Sequence, residues 1–196
     1  HPELLVKVAE KLKEDGYDFE MNIIGQGVME EVIKNYINDY SLNNYVHMLG
    51  SMPPQDVRKH MEKANIYLFT SDFQEGWGAV LNEAMNSGCA CVVSHAIGSA
   101  GFLIKHNENG LIYKNGDFID LYSKVKSLFD DKSKSREIGI NAYNTIHNVW
   151  NADVAAQRFL ILAEKLDKGE DTPFTEGPCS KAIPIQDDKM YDYLVL

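Results

Sequence analysis

Two glutamates, Glu75 and Glu83, stand on either side of a glycine-rich turn, with seven residues between them. Gly76 and Gly78 lie in this interval, and glycine lets a ligand approach the backbone because it carries no side chain. The amides in the first turn of the helix expected here have no partners within it. Together with the helix dipole they favour phosphate. Two carboxylates beside such amides suit a ligand with terminal hydroxyls and phosphate between them, as in a nucleoside-diphosphate sugar.

A simpler interpretation of the same residues is an ordinary connection between two elements. In that case Glu75 is an acid favoured by the helix dipole, and Glu83 lies on a solvated helix face. That interpretation is adequate for one glutamate in a glycine turn. It explains less well two glutamates that enclose two glycines, so the pattern favours a ligand site.

The surrounding elements place this turn at the edge of a parallel sheet. The apolar run 66–69 precedes it and a second run, 89–94, follows the helix, which indicates a βαβ unit. The same alternation along the chain predicts an α/β fold with a doubly wound, Rossmann-like parallel sheet that binds its ligand at the carboxyl edge. We assign residues 1–167 to one domain of this fold. Residues 168–196 are expected to form a poorly ordered tail or a segment that packs elsewhere.

A second glycine pair, Gly25 and Gly27, follows a predicted strand at 18–24. This spacing could begin a dinucleotide fingerprint. However, Glu30 stands where the third glycine should be, and no acidic residue ends the next strand. A nicotinamide cofactor is therefore disfavoured.

Composition limits the other possibilities. The chain has 196 residues, 44% of them hydrophobic, and a net charge of −10, which argues against nucleic acid or an anionic membrane as partner. No transmembrane segment is expected.

Cys89 and Cys91 are predicted on opposite faces of a strand, and Cys179 stands alone, so a reducing cytoplasm is favoured. The six histidines lack metal-ligand spacing, no metal site is expected, and His95 is predicted at the solvent edge of its loop.

The segment 71–93 resembles the signature of the retaining group 1 (family four) glycosyltransferases, which have the GT-B fold. Trp77 replaces the usual Phe, Cys91 replaces Pro, and the loop at 95–101 lacks the family's paired glycines and Glu, so a donor contact from that loop is left open. The resemblance covers about residues 1–165, the carboxy-terminal, donor-binding half. The matching residues are Ser71, Glu75, Gly76, Gly78, Glu83, Ala84, Met85, Gly88, Val92 and Val93.

The resemblance implies roles for these residues. Glu75 would bind hydroxyls of the donor sugar and is the candidate catalytic residue, and Glu83 would bind the ribose. The implied donor-binding residues are Glu83, Gly76, Trp77, Gly78, Ala79, Gly25 and Gly27. The implied partners are a nucleotide sugar and a glycan or lipid-linked acceptor, as in polysaccharide biosynthesis, with neither cofactor nor metal. The amino-terminal acceptor domain and the family's Arg and Lys on the diphosphate are missing, which implies that residues 1–196 alone transfer no sugar.

Other interpretations remain open. The chain could be a non-catalytic module that binds nucleotide sugars, or part of a related GT-B epimerase or phosphorylase. A flavodoxin-like response module is disfavoured because no Asp cluster lies at the predicted strand ends.

Overall fold

The structure is a computed structural model that describes residues 1–186 and 189–196. Strands and helices alternate through the first part of the chain, and helices make up the rest of its regular structure. The strands are β1 (Met21–Ile24), β2 (Val46–Gly50), β3 (Ile66–Phe69), β4 (Ala90–Ser94) and β5 (Leu111–Tyr113). The helices are α1 (Glu3–Glu14), α2 (Glu30–Asp39), α3 (Pro54–Met61), α4 (Ala79–Asn86), α5 (Ala100–Leu103), α6 (Phe118–Asp130), α7 (Lys132–Asn148), α8 (Ala152–Asp167) and α9 (Met190–Val195).

The strands pair in two parallel groups. β1 pairs with β2, and β4 lies between β3 and β5. Parallel strands need crossover connections, and helices α2, α3 and α4 lie between successive strands along the chain. The predicted α/β fold with Rossmann-like parallel pairing is confirmed.

β4 is buried on both faces because its side chains alternate between two helical layers. Cys91 and Val93 pack with α4 and α7, whereas Ala90 and Val92 pack with α1 and α6. All five residues of β4 are fully buried. A continuous apolar run is typical of such a strand, which explains why 89–94 shows no polar alternation.

The prediction that Cys89 and Cys91 point to opposite faces is wrong. Side chains alternate along a strand with a period of two, so residues two apart share a face. Both cysteines lie in the cluster that contains α4 and α7, and both are free thiols. Burial raises the pKa of the Cys89 thiol to about 11, so this side chain is a small, protonated core residue.

The three helices after β5 match the predicted patterns at 117–130, 133–148 and 151–167 within two residues. Side-chain oxygens of Asp117, Asp131 and Asn151 accept the backbone N–H three residues further on, which satisfies donors that a helix start leaves unpaired. These caps explain why the helix starts could be predicted from local sequence.

The segment after α8 packs on the domain. Residues 170–186 contain neither helix nor strand, and α9 follows. Tyr191 and Leu194 of α9 pack against the core cluster that contains α4, and the Tyr191 hydroxyl donates to Asp120 Oδ2 at 2.7 Å. Residues 187 and 188 of the predicted tail lie outside the described residues. Within the part that is described, no helix is long and apolar enough to cross a membrane.

Candidate functional site

The glycine-rich turn connects the end of β3 to the start of α4. Gly78 precedes the helix with a φ of +78°, a left-handed conformation that favours glycine. A Cβ atom at this position would lie 2.8 Å from the ring of Phe69. Both the backbone conformation and the close packing therefore require glycine here.

The turn presents a row of backbone donors. The N–H groups of residues 76–80 have no acceptor among the described residues, and no side chain caps the start of α4. Carbonyl groups of the same turn are occupied: those of Glu75 and Trp77 accept bonds from another loop, and that of Gly78 accepts from Leu81. Unpaired N–H groups beside a helix N-terminus form a binding site for anions.

The two glutamates flank this row of donors. Glu75 is half-buried in the turn and Glu83 is exposed on α4, and neither forms an ion pair within residues 1–186 and 189–196. The pKa of the Tyr67 phenol on β3 is raised, and burial is the largest cause. The nearby thiols and then the charges of Glu83 and Glu75 raise it further. Both carboxylates thus belong to the connection that follows β3, Glu75 in the turn and Glu83 on α4.

The loop after β4 docks directly on the turn. The Gly98 N–H donates to the Glu75 carbonyl at 3.4 Å, and the Ser99 N–H donates to the Trp77 carbonyl at 3.0 Å. A Cβ atom on Gly98 would lie only 1.7 Å from the Gly76 carbonyl oxygen. The sequence analysis left open whether this loop contacts the donor. The glycines of the loop were the only local feature that indicated a close approach of its backbone to another group. In the structure the loop holds the backbone of the turn through these two hydrogen bonds.

Trp77, the departure from the family pattern, is partly exposed, and its side chain is fixed by contacts with neighbouring residues. Its indole Nε1–H donates to Asn82 Oδ1 at 2.9 Å, and its ring packs against Phe102 and Trp150 at centroid distances of 5.5 and 5.9 Å. Because the indole N–H is already bonded, the free donor of this residue is its backbone amide.

Gly25 and Gly27 lie directly after the carboxyl end of β1. The Gly25 N–H donates to the Gly50 carbonyl at 2.9 Å, and the Gly27 carbonyl accepts from Glu30. No hydrogen bond joins either glycine to the turn in the described part of the chain. Glu75, Glu83 and residues 76–79 thus belong to the connection between β3 and α4, whereas the first glycine pair follows β1, which pairs with β2.

His95 is buried, contrary to its prediction as a residue at a solvent edge. Its side chain lies between the rings of Phe73 and Tyr191, at centroid distances of 5.7 and 5.5 Å. Nδ1 accepts the backbone N–H of Asn115 at 2.9 Å. The pKa of His95 is lowered, and burial is the largest cause. The charge of Lys114 lowers the pKa further, whereas a hydrogen bond to the backbone raises it. The aromatic partners are distant in the chain, so no local pattern indicated this cluster.

We expect thermal stability to fall as the pH drops below about 6.5, the ordinary pKa of histidine. The folded pKa of His95 is lowered, so between the folded and unfolded pKa values the unfolded chain binds more protons and stability rises with pH. Protonation of Nδ1 would also set a donor against the Asn115 N–H. The measurement is the midpoint of thermal unfolding as a function of pH.

The variant His95→Gln isolates this contribution, because His106 also has a lowered pKa and remains in both proteins. The midpoint of the variant should depend less steeply on pH below 6.5 than that of the wild type. Identical slopes would show that His95 does not titrate against folding.

Comparison with known proteins identifies the family. The pattern of the family described as Glycosyl transferases group 1 matches residues 1–145. The amylovoran biosynthesis glycosyltransferase AmsK of Erwinia amylovora is 28% identical over 160 residues, which cover 79% of this chain and 39% of that protein. The chain therefore spans less than half the length of this curated relative.

Solved structures share the fold. A mutant of S. aureus TarM, in complex with fondaparinux, alpha-GlcNAc-glycerol and UDP, has a TM-score of 0.72 and 24% identity over 82% of this chain and 32% of that one. The C-terminal domain of LpcC, a group 1 family protein from Francisella tularensis, has a TM-score of 0.67 and 16% identity over 76% of this chain and 78% of that domain. With the family pattern extending over most of its residues, the chain belongs to the group 1 family of glycosyl transferases.

Proposed function

We propose that this chain is the donor-binding part of a retaining glycosyltransferase that transfers a sugar from a nucleotide donor to a glycan or lipid-linked acceptor. The observation that carries the proposal is the row of amides at residues 76–80, which have no acceptor within the described part of the chain and are flanked by two carboxylates that form no ion pair there. Proteins similar to the chain are named as glycosyltransferases, and the TarM structure contains UDP.

Each group in the turn has a role in this proposal. The amides of residues 76–79 bind the sugar or the diphosphate, Glu83 accepts hydrogen bonds from the ribose diol, and Glu75 accepts them from hydroxyls of the donor sugar. Gly25 and Gly27 lie near the nucleotide. Preorganised amides stabilise the negative charge that develops on the departing diphosphate, since they need no reorganisation during the reaction. The proposal includes no cofactor and no metal.

The remainder of the enzyme lies outside these residues in this proposal. An amino-terminal acceptor domain completes the cleft and positions the hydroxyl that attacks the sugar. Residues 1–167 form the donor-binding domain, and the tail at 168–196 is an addition to it. A cytoplasmic location is part of the same proposal.

We expect Glu83→Gln to weaken the binding of UDP by about 10-fold or more. A charge-assisted hydrogen bond contributes roughly 1.5–3 kcal/mol, and about 1.4 kcal/mol corresponds to a factor of ten in affinity. The measurement is an NMR titration with UDP, in which the amide signals of residues 76–80 should shift. Glu75→Gln should bind UDP as the wild type does, but should discriminate less between UDP-linked sugars.

Glu137→Gln on α7 is the matched control, because it removes an exposed carboxylate far along the chain from the turn. Its UDP affinity should equal that of the wild type. Equal affinity of Glu83→Gln and the wild type would reject the ribose role. Shifts confined to the opposite edge of the sheet would reject the site as a whole.

A further inference from the structure

His95 is a polar side chain beside the glycine-rich turn to which the proposed function gives no role. It stands directly after β4, on the loop that holds the turn through the N–H groups of Gly98 and Ser99. Its ring centroid is 5.7 Å from that of Phe73, which lies in the connection between β3 and the turn. The loop after β4 therefore brings an imidazole to the edge of the candidate site.

The hydrogen bond at Nδ1 fixes the tautomer of His95. Nδ1 accepts the backbone N–H of Asn115 at 2.9 Å, and an imidazole nitrogen that accepts a hydrogen bond carries no proton. In the neutral ring the proton is therefore on Nε2, which becomes a hydrogen-bond donor. Burial is the largest cause of the lowered pKa of His95, so the neutral ring prevails at pH 7.

The Nε2 atom remains available to a ligand. Most of His95 is buried, but Nε2 forms no hydrogen bond in the described part of the chain and is not an enclosed atom there. The two ring nitrogens project in widely divergent directions, and Nδ1 faces Asn115 beyond the end of β5, so Nε2 points away from β5. Because β4 lies between β5 and β3, the side away from β5 is the side of the glycine-rich turn.

Packing holds the imidazole in this orientation. The rings of Phe73 and Tyr191 contact it edge to face, with interplanar angles of 86° and 68°. Tyr191 is itself fixed, because its hydroxyl donates to Asp120 Oδ2 at 2.7 Å. A side chain that is already ordered loses little conformational entropy when it binds a ligand. His95 therefore presents a preorganised, uncharged donor beside the turn.

A sugar hydroxyl fits an uncharged donor close to a carboxylate. An ionised carboxylate such as that of Glu75 only accepts hydrogen bonds, whereas a hydroxyl donates one and accepts others. Sugar hydroxyls that donate to Glu75 thus still require donors, and Nε2–H supplies one without neutralising the carboxylate. We propose that His95 is a specificity-determining residue of the donor site, in which its Nε2–H donates to a hydroxyl of the sugar bound by Glu75. This inference rests on the proposed function of the turn.

The test replaces the imidazole by two different amides. The side-chain oxygen of His95→Asn can replace Nδ1 as the acceptor for Asn115, but this variant has no donor at the position of Nε2. The longer amide of His95→Gln reaches that position and restores a donor. The probes are UDP, UDP-glucose and UDP-N-acetylglucosamine, and their affinities are measured by calorimetry.

His95→Asn should bind the tighter of the two UDP-sugars about 2- to 10-fold more weakly than the wild type, as expected for the loss of one neutral hydrogen bond. Its affinity for UDP alone should be unchanged, because the nucleotide does not contact His95 in this proposal. His95→Gln should recover most of the lost affinity. Equal affinities of His95→Asn and the wild type for both UDP-sugars, or equal losses in the two variants, overturn the proposal.

His106→Asn is the matched control. His106 Nδ1 also accepts a backbone N–H, that of Ile112 at 2.9 Å, and burial is the largest cause of its lowered pKa. His106 lies in the connection between α5 and β5, and no hydrogen bond joins it to the glycine-rich turn within the residues described. The affinities of His106→Asn for UDP and for both UDP-sugars should therefore equal those of the wild type.

Long-range proton–nitrogen NMR spectra of the wild type give a second readout, which needs no substitution and which a purely structural role would not move. Both His95 and His106 should carry their proton on Nε2 in the free protein. The tighter UDP-sugar should shift the Nε2 signal of His95 relative to UDP alone and should leave that of His106 in place. If UDP shifts the amides of residues 76–80 but neither UDP-sugar shifts His95, the proposal is overturned and the donor site stands. If those amides do not shift either, the proposed function is rejected and this inference with it.

Discussion

Residues 1–196 alone are expected to transfer no measurable sugar, whereas the same residues joined to the acceptor domain that the proposed function requires are expected to be active. The reaction of GT-B enzymes takes place in a cleft between two domains, and the AmsK match covers only 39% of that protein. In the proposed function, the group that takes the acceptor's proton and the Arg and Lys that bind the diphosphate lie outside residues 1–196. Each missing electrostatic partner lowers the rate by about 100- to 1000-fold.

The assay is the release of nucleoside diphosphate from a panel of nucleotide sugars, with and without candidate acceptors. The binding of UDP to the same preparation serves as the control, because it shows that the donor site is folded while turnover is absent. Turnover by the isolated chain at about 1 per second, an ordinary enzymatic rate, would contradict the two-domain interpretation. If the joined protein binds donor yet transfers nothing, the alternative of a non-catalytic nucleotide-sugar-binding module would be favoured.

The substitution Gly98→Ala is expected to destabilise the fold and to abolish the binding of UDP at the turn. The new Cβ atom would lie 1.7 Å from the Gly76 carbonyl oxygen, and a backbone atom cannot rotate away as a flexible side chain can. Overpacking costs typically 1–3 kcal/mol, and about 3 kcal/mol in a chain of this size lowers the unfolding midpoint by roughly 10 °C. Relief of the clash must displace residues 76–78, whose amides form the proposed site.

Gly139→Ala separates lost binding from lost stability. A Cβ atom at Gly139 would lie 2.3 Å from the Gly88 carbonyl oxygen, so this variant also overpacks against backbone, but it leaves the loop after β4 untouched. Below its unfolding midpoint it should bind UDP as the wild type does. If Gly98→Ala retains wild-type affinity and stability, the loop does not support the turn as the structure indicates.

Local sequence determined the order of the elements and the candidate site. The apolar runs at 66–69 and 89–94 predicted two strands with a glycine-rich turn and a helix between them, and the structure has β3, α4 and β4 there. Asp117 and Asp131 mark helix starts because a cap acts on amides only three residues away. The left-handed conformation of Gly78 is known only from the structure, since the sequence analysis used this glycine solely as a place where a ligand can approach the backbone. The roles of Glu75 and Glu83 remain predictions.

Tertiary structure decided the features that depend on residues distant in the chain. Gly98 supports the turn only because β4 and β3 are neighbours, which brings two loops to one edge of the sheet. His95 is buried because Tyr191, almost a hundred residues further on, returns in α9 to cover it. Periodicity and capping depend on residues close together in the sequence, so they can be predicted from a segment alone. Burial and strand order depend on which distant segments come into contact, so they require the tertiary structure.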